Sequence, residues 1–173
     1  STVVNIKETL QYQYWKDVWG FGEIDGRVKD LWKRVAFMVQ YPDIRSHRIG
    51  VLRSDAQGTG KSFFFRVCCA VLGTAKGKFH TNIKTYDTRF NWTNHSKKLH
   101  FVDDIKTNTK SQTQSLFSLC TTDVHQYEKK GEVIQQFKEF SELWLTSNET
   151  NPLFVTREDR RVVIFEASEL WIR

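Results

Sequence analysis

The segment Ser54-Asp55-Ala56-Gln57-Gly58-Thr59-Gly60-Lys61-Ser62 has the residue types of a loop that holds an oxyanion. Its glycines let backbone N–H groups turn toward a phosphate, Lys61 reaches the outer oxygens, and Ser62 offers a hydroxyl to Mg2+. The run from His47 to Arg53 before it reads as a short buried strand, and the run from Lys61 to Leu72 after it as an apolar helix closed by Gly73. Strand, glycine-rich turn and helix in that order put the loop at a helix N-terminus, where anions are favoured. The usual pattern G-x-x-x-x-G-K-[ST] asks for glycine at position 55, and here it is Asp. Asp tolerates left-handed dihedrals, so the turn is expected to survive with the carboxylate pointing away from the phosphates. Asp55 to Ser62 form the candidate ATP-binding set.

A second group begins at Asp103-Asp104, which end the apolar run Leu99-His100-Phe101-Val102. Two carboxylates at the end of a buried strand suit the other half of a nucleotide-hydrolysing site. Asp103 would hold Mg2+ through water or beside Ser62, and Asp104 would orient or deprotonate the attacking water. Alone, the pair reads more readily as a solvated turn; beside a phosphate loop it reads as catalytic. A third run, Leu143-Trp144-Leu145-Thr146-Ser147, ends at Asn148, whose amide could hydrogen-bond the γ-phosphate or the water. Between these runs, Val124 to Phe137 reads as a hairpin with Lys129, Lys130 and Gly131 at its tip. The two lysines could meet backbone phosphates of DNA or simply be solvated. Arg161, at the start of the run Val162 to Phe165, could pair locally or reach a neighbouring subunit's γ-phosphate.

Elements that alternate in type must position these groups. Apolar residues at Val28, Leu31, Trp32, Val35 and Met38 predict an amphipathic helix from Arg27 to Gln40, stopped before Pro42. Further strands are predicted at Leu99 to Val102, Val124 to Glu128, Glu132 to Phe137, Leu143 to Thr146 and Val162 to Phe165, with a helix near Thr109 to Cys120. The alternation implies an α/β fold. Residues 1 to 25 are aromatic and irregular, with Tyr12, Tyr14, Trp15 and Trp19 leading into Gly20-Phe21-Gly22. The 173-residue chain fits one domain, and a first residue that is Ser rather than Met suggests excision from a longer polypeptide. Lys and Arg exceed Asp and Glu by 26 to 20, a net +6 that mildly favours a polyanionic partner. Cys68, Cys69 and Cys120 have no zinc spacing and read as reduced thiols of an intracellular protein. A mean hydropathy of −0.51, and no run near the ~18 apolar residues a membrane helix needs, argue against membrane insertion.

Taken together, over residues 47 to 167, the motifs resemble the superfamily 3 helicases of small DNA viruses and the helicase domains of phage and plasmid primases. Tyr127-Glu128-Lys129-Lys130-Gly131, Leu145-Thr146-Ser147-Asn148 and Arg161 to Glu166 look like the papillomavirus and parvovirus enzymes. Asp159-Arg160-Arg161 looks more like phage primase-helicases or primase-polymerases. The resemblance implies an AAA+-like P-loop NTPase core with a central sheet and a pore hairpin, preceded by a short helical segment. It further implies a ring, usually a homo-hexamer, that uses ATP and Mg2+ at subunit interfaces, and single-stranded or forked DNA in the pore against Lys129 and Lys130. Arg161 falls on the family's arginine finger, with Arg160 as the second candidate. Residues 1–46 would serve oligomerisation, residues 47–173 the ATPase core, and an attached primase or polymerase domain would complete the protein. A phage origin would place it in the bacterial cytoplasm. The alternative is a DNA clamp or oligomerisation module whose ATPase site is attenuated by Asp55. A small-molecule phosphotransferase would need an acceptor site and an arginine-rich lid, and neither is legible.

Overall fold

The computed structural model describes residues 16–19, 26–106, 109–156 and 158–168. Tyr12, Tyr14, Trp15 and the Gly20-Phe21-Gly22 turn lie outside the described residues. The apolar runs become strands β1 (Ile49–Arg53), β2 (Gly77–His80), β3 (Leu99–Val102), β6 (Glu142–Ser147) and β7 (Val162–Glu166). They form one wholly parallel sheet in the order β2-β3-β6-β1-β7. Strands β4 (Val124–Tyr127) and β5 (Gln135–Lys138) pair antiparallel as a separate hairpin. The helices are α1 (Gly26–Gln40), α2 (Lys61–Leu72), the single turn α3 (Ile83–Tyr86) and α4 (Lys110–Thr121). Among the described residues no helix is long and apolar enough to cross a membrane.

Parallel strands need crossover connections, so such a sheet is covered on both faces and its inner strands carry apolar residues toward both. One core joins Leu31, Val35 and Met38 of α1 with Phe64 and Cys68 of α2 and with Leu52, Leu99, Phe101, Trp144 and Phe165 of the sheet. The other joins Tyr86 of α3 and Leu116, Phe117 and Cys120 of α4 with Ile49, Val51, Val102, Leu143 and Leu145. Along β6 the side chains alternate, Leu143 and Leu145 to one core and Trp144 to the other, as a period of two requires. Trp144 stacks on Phe165 at 5.9 Å between ring centroids and packs on Phe64 at 5.1 Å. Its indole crosses over Gly50, where an added Cβ would stand 2.8 Å from the ring.

Polar ties fix the connection that enters β1. Buried Glu142 accepts from the Ser46 amide at 2.6 Å and from the Ser46 hydroxyl, with Arg34 of α1 at 3.7 Å. Lys98 donates to the carbonyls of Ile44 (2.6 Å), Phe140 (3.0 Å) and Tyr41 (3.3 Å). Arg45 donates to the carbonyls of Leu119 and Thr122 at the end of α4, where a cation opposes the helix dipole.

Most expected elements appear with shifted ends. The second hairpin strand starts at Gln135 rather than Glu132, because the turn takes more chain: Glu132 donates to the Lys129 carbonyl at 2.9 Å and Gly131 has φ 83°. Edge strand β2 and α3 were not expected; their Gly-Lys-Phe-His and Ile-Lys-Thr-Tyr sequences are too short to show a period. Gly50→Ala is expected to destabilise the fold by about 1–3 kcal/mol through overpacking against Trp144. A thermal melt should show it as a fall of about 2–4 °C per kcal/mol.

Candidate functional site

In a parallel sheet every strand delivers its C-terminal end to the same edge, and β6 lies between β1 and β3. The loop after β1, the acid pair after β3 and Asn148 after β6 therefore meet at one edge, the carboxyl end of the strands at which open α/β sheets bind ligands. Gly58 and Gly60 take left-handed backbone conformations, φ 79° and 83°, and the Gly60 carbonyl accepts from Phe64 to start α2. The Lys61 ammonium donates to Asn148 Oδ1 at 2.7 Å and to Ser54 Oγ, with Thr59 Oγ1 at 3.4 Å and the Ala56 carbonyl at 3.5 Å. Ser54 Oγ in turn donates to the Ala56 carbonyl at 2.7 Å and lies 2.9 Å from Thr59 Oγ1. Burial pulls the Lys61 pKa below its usual value, and the charges of Asp103 and Asp104 partly oppose that shift. Both carboxylates thus lie within electrostatic reach of the ammonium.

Asp55 does not take a left-handed conformation, so its tolerance of that region is not what preserves the turn. Its carboxylate instead pairs with Arg53 Nη2, while Arg53 Nη1 holds Glu166 of β7 at 2.9 Å. The Asp55 side chain is 68% exposed.

The acid pair is braced by β6. Thr146 Oγ1 donates to Asp103 Oδ1 and accepts from the Asp104 amide at 2.9 Å. The Thr146 carbonyl accepts from Ile105 at 2.8 Å, and Ser147 Oγ donates to the Ile105 carbonyl at 2.7 Å. Asp104 adopts φ 48°, and its exposed carboxylate has Lys106 at 3.7 Å. Ser62 stands exposed in the first turn of α2. Among the described residues no cluster of three His, Cys, Asp or Glu could hold a metal unaided. The oxygen donors of Ser62 and Asp103 suit Mg2+ nonetheless, since beside nucleotides that ion takes one or two protein oxygens and completes its shell with phosphate and water. Ser54 and Thr146 were not singled out from sequence; for Thr146 the available signal was a hydroxyl directly after the apolar buried run Leu143 to Leu145, which must find a partner.

Four expected site residues lie elsewhere. Arg161 precedes β7, and its carbonyl accepts from Ile49 at the opposite end of β1 from the loop. At about 3.3 Å per strand residue the two ends are roughly 13 Å apart. The Arg161 guanidinium forms a two-pronged pair with Asp159 at 2.9 and 2.7 Å and lies 3.9 Å over the Phe117 ring, whereas Arg160 is exposed. Lys129 and Lys130 are exposed on the hairpin turn, Lys129 pairing with Glu132. Next to that turn β4 is held by Asn91, which donates to the Gln126 carbonyl and accepts from the Glu128 amide, both at 2.9 Å.

Residues 52–161 match a family described as DUF5906, a family of unknown function. The chain belongs to this family. No curated protein matches the DUF5906 chain. Among solved structures it is similar to the apo C-terminal region of NrS-1 (305–718), with a TM-score of 0.72 at 17% identity over 91% of this chain and 36% of that one. A second apo structure of that region gives 0.75 at 17% identity, over 91% and 38% of the two chains. JCV helicase with a bound thiazolopyridine compound gives 0.60 at 15%, over 92% and 46%. The DUF5906 chain spans less than half the length of these structures. At such identities the likeness speaks for the fold alone, an α/β core with a central parallel sheet.

Because Arg53 already offsets the Asp55 charge, Asp55→Gly is expected to change the affinity for a non-hydrolysable ATP analogue by less than about threefold, as exposed ion pairs contribute little. Isothermal titration of both proteins checks this; a gain of about tenfold or more would mean that the carboxylate opposes the phosphates.

Proposed function

We propose that this chain is the ATPase core of a ring-forming DNA helicase or translocase acting in the replication of viral, phage or plasmid DNA. The observation that supports this most strongly is the convergence of Lys61, Asp103 and Asn148 on one sheet edge, with Lys61 bonded to Asn148 and in the field of both acids. Residues 47–173 would form that core and residues 1–46 a segment for ring assembly, with a primase or polymerase domain attached in the whole protein.

ATP would lie with its phosphates along residues 55–62, where the left-handed glycines and the backbone N–H groups at the start of α2 would offer donors. Lys61 exchanges its bonds to Ser54 and Asn148 for phosphate oxygens, which frees the Asn148 amide for the γ-phosphate or the attacking water. Ser62 and Asp103 would hold Mg2+, which when bound would neutralise charge on the transferred phosphoryl group. Asp104, exposed and beside Asp103, orients the water and accepts its proton. Arg160 and Arg161 stand at the wrong end of the sheet to serve their own chain's loop, so they act on a neighbour's nucleotide. Arg161 is already held by Asp159 and Phe117 and shapes that turn, leaving exposed Arg160 the freer to reach across. Lys129 and Lys130 add little charge in one copy, but a ring of hairpins concentrates them on the phosphates of a strand in the pore.

Complementation tests this division of labour. Lys61→Ala and the double variant Arg160→Ala/Arg161→Ala should each lose ATP turnover by about 10³-fold or more. Mixed one to one, they should recover activity at about a quarter of the interfaces, as expected for head-to-tail contacts. A mixture no more active than its parts would show that the arginines do not act between subunits.

A further inference from the structure

We propose that Thr146 is the positioning residue of the acid pair, its hydroxyl aiming the Asp103 carboxylate and so setting how tightly the site takes Mg2+ with nucleotide. The inference rests on the nucleotide reading above and concerns a residue that reading does not use. Thr146 is 1% exposed in the middle strand of the sheet, flanked by the apolar Leu143-Trp144-Leu145. A buried hydroxyl is unfavourable unless it is bonded, and both bonds of this one go to the acid pair. Their senses are opposite. The Asp104 amide donates to Oγ1, so the single hydroxyl proton is left for Asp103 Oδ1. With Oδ1 engaged, Oδ2 is the oxygen available to a cation or to its bound water.

A purely packing role is the competing account, since threonine, like valine, suits a pleated strand. The two accounts differ in what the hydroxyl does. Valine has nearly the same shape and keeps the packing while deleting both bonds to the acids. Serine keeps the hydroxyl and loses only a methyl group.

The test uses the full chain and two readouts that do not need turnover. These are binding of a fluorescent non-hydrolysable ATP analogue as a function of Mg2+, and Mn2+ binding followed by electron paramagnetic resonance with the same analogue present. Thr146→Val should raise the metal concentration at half-saturation by about 10–100-fold, the range for losing a group that orients a metal-holding carboxylate, and Thr146→Ser should bring it back to within about threefold of wild type. Analogue affinity without metal should be unchanged in both. If the valine variant lacks a cooperative thermal melt, Thr146→Cys, a far weaker donor of similar size, takes its place with the same expectation. A metal midpoint unchanged in Thr146→Val overturns the proposal, as does equal loss in the serine variant, which would make the role one of packing. Wild-type protein that binds the analogue with no response to metal removes the reading beneath it, a distinct outcome because it needs no variant.

Discussion

A half-buried ammonium group at the mouth of the sheet has to be satisfied from several directions, and much of the architecture follows from how that is done. Lys61 begins a helix, so its stem is fixed by α2, yet its charge is met by Ser54 at the end of β1 and by Asn148 at the end of β6. The bond between Lys61 and Asn148 forms only if β1 and β6 are neighbours in register, as they are from Ile49 opposite Leu143 to Arg53 opposite Ser147. The same neighbour relation on the other side of β6 brings in the acids, with Leu99 opposite Glu142 and Val102 opposite Leu145. A slip of one residue would turn every side chain of β6 to the other face, sending Trp144 into the core of Leu116 and Phe117. Register, packing and chemistry are therefore one constraint.

The far end of the sheet is organised by other means. There, buried Glu142, Lys98 and Arg45 hold the connection into β1 through backbone groups and Ser46. Such groups are costly to bury and are kept only where their partners are complete. Arg161 and the base of the hairpin, where the Glu139 amide donates to the Asp123 carbonyl, belong to this end, whereas Lys61, Asp103 and Asn148 lie at the other. A parallel sheet imposes that separation without further design, because it has two chemically distinct edges.

The glycine-rich turn before α2, the acid pair, Asn148 and the strands that bear them were legible in sequence because each is a polar group at the end of an apolar run. The hairpin was legible too, but its second strand was read too early, since nothing local distinguishes Glu132-Val133-Ile134 in a wide turn from the same residues in a strand. Edge strand β2 escaped notice because its pattern is set by Gly77 seated against Cys69, where a Cβ would come within 2.1 Å of the sulfur, rather than by alternation. The pairing of Asp55 with Arg53 and of Thr146 with both acids depends on side-chain direction across folded elements. Spacing along a chain contains no such information.

The measurement that tests the account most directly is steady-state ATP hydrolysis by the wild-type chain and by Lys61→Ala, with and without single-stranded DNA. The account predicts turnover that rises with DNA in the wild type and is absent from the variant, both proteins melting at similar temperatures. Wild-type turnover no greater than that of folded Lys61→Ala, with or without DNA, would contradict it and leave the chain as a clamp or assembly module.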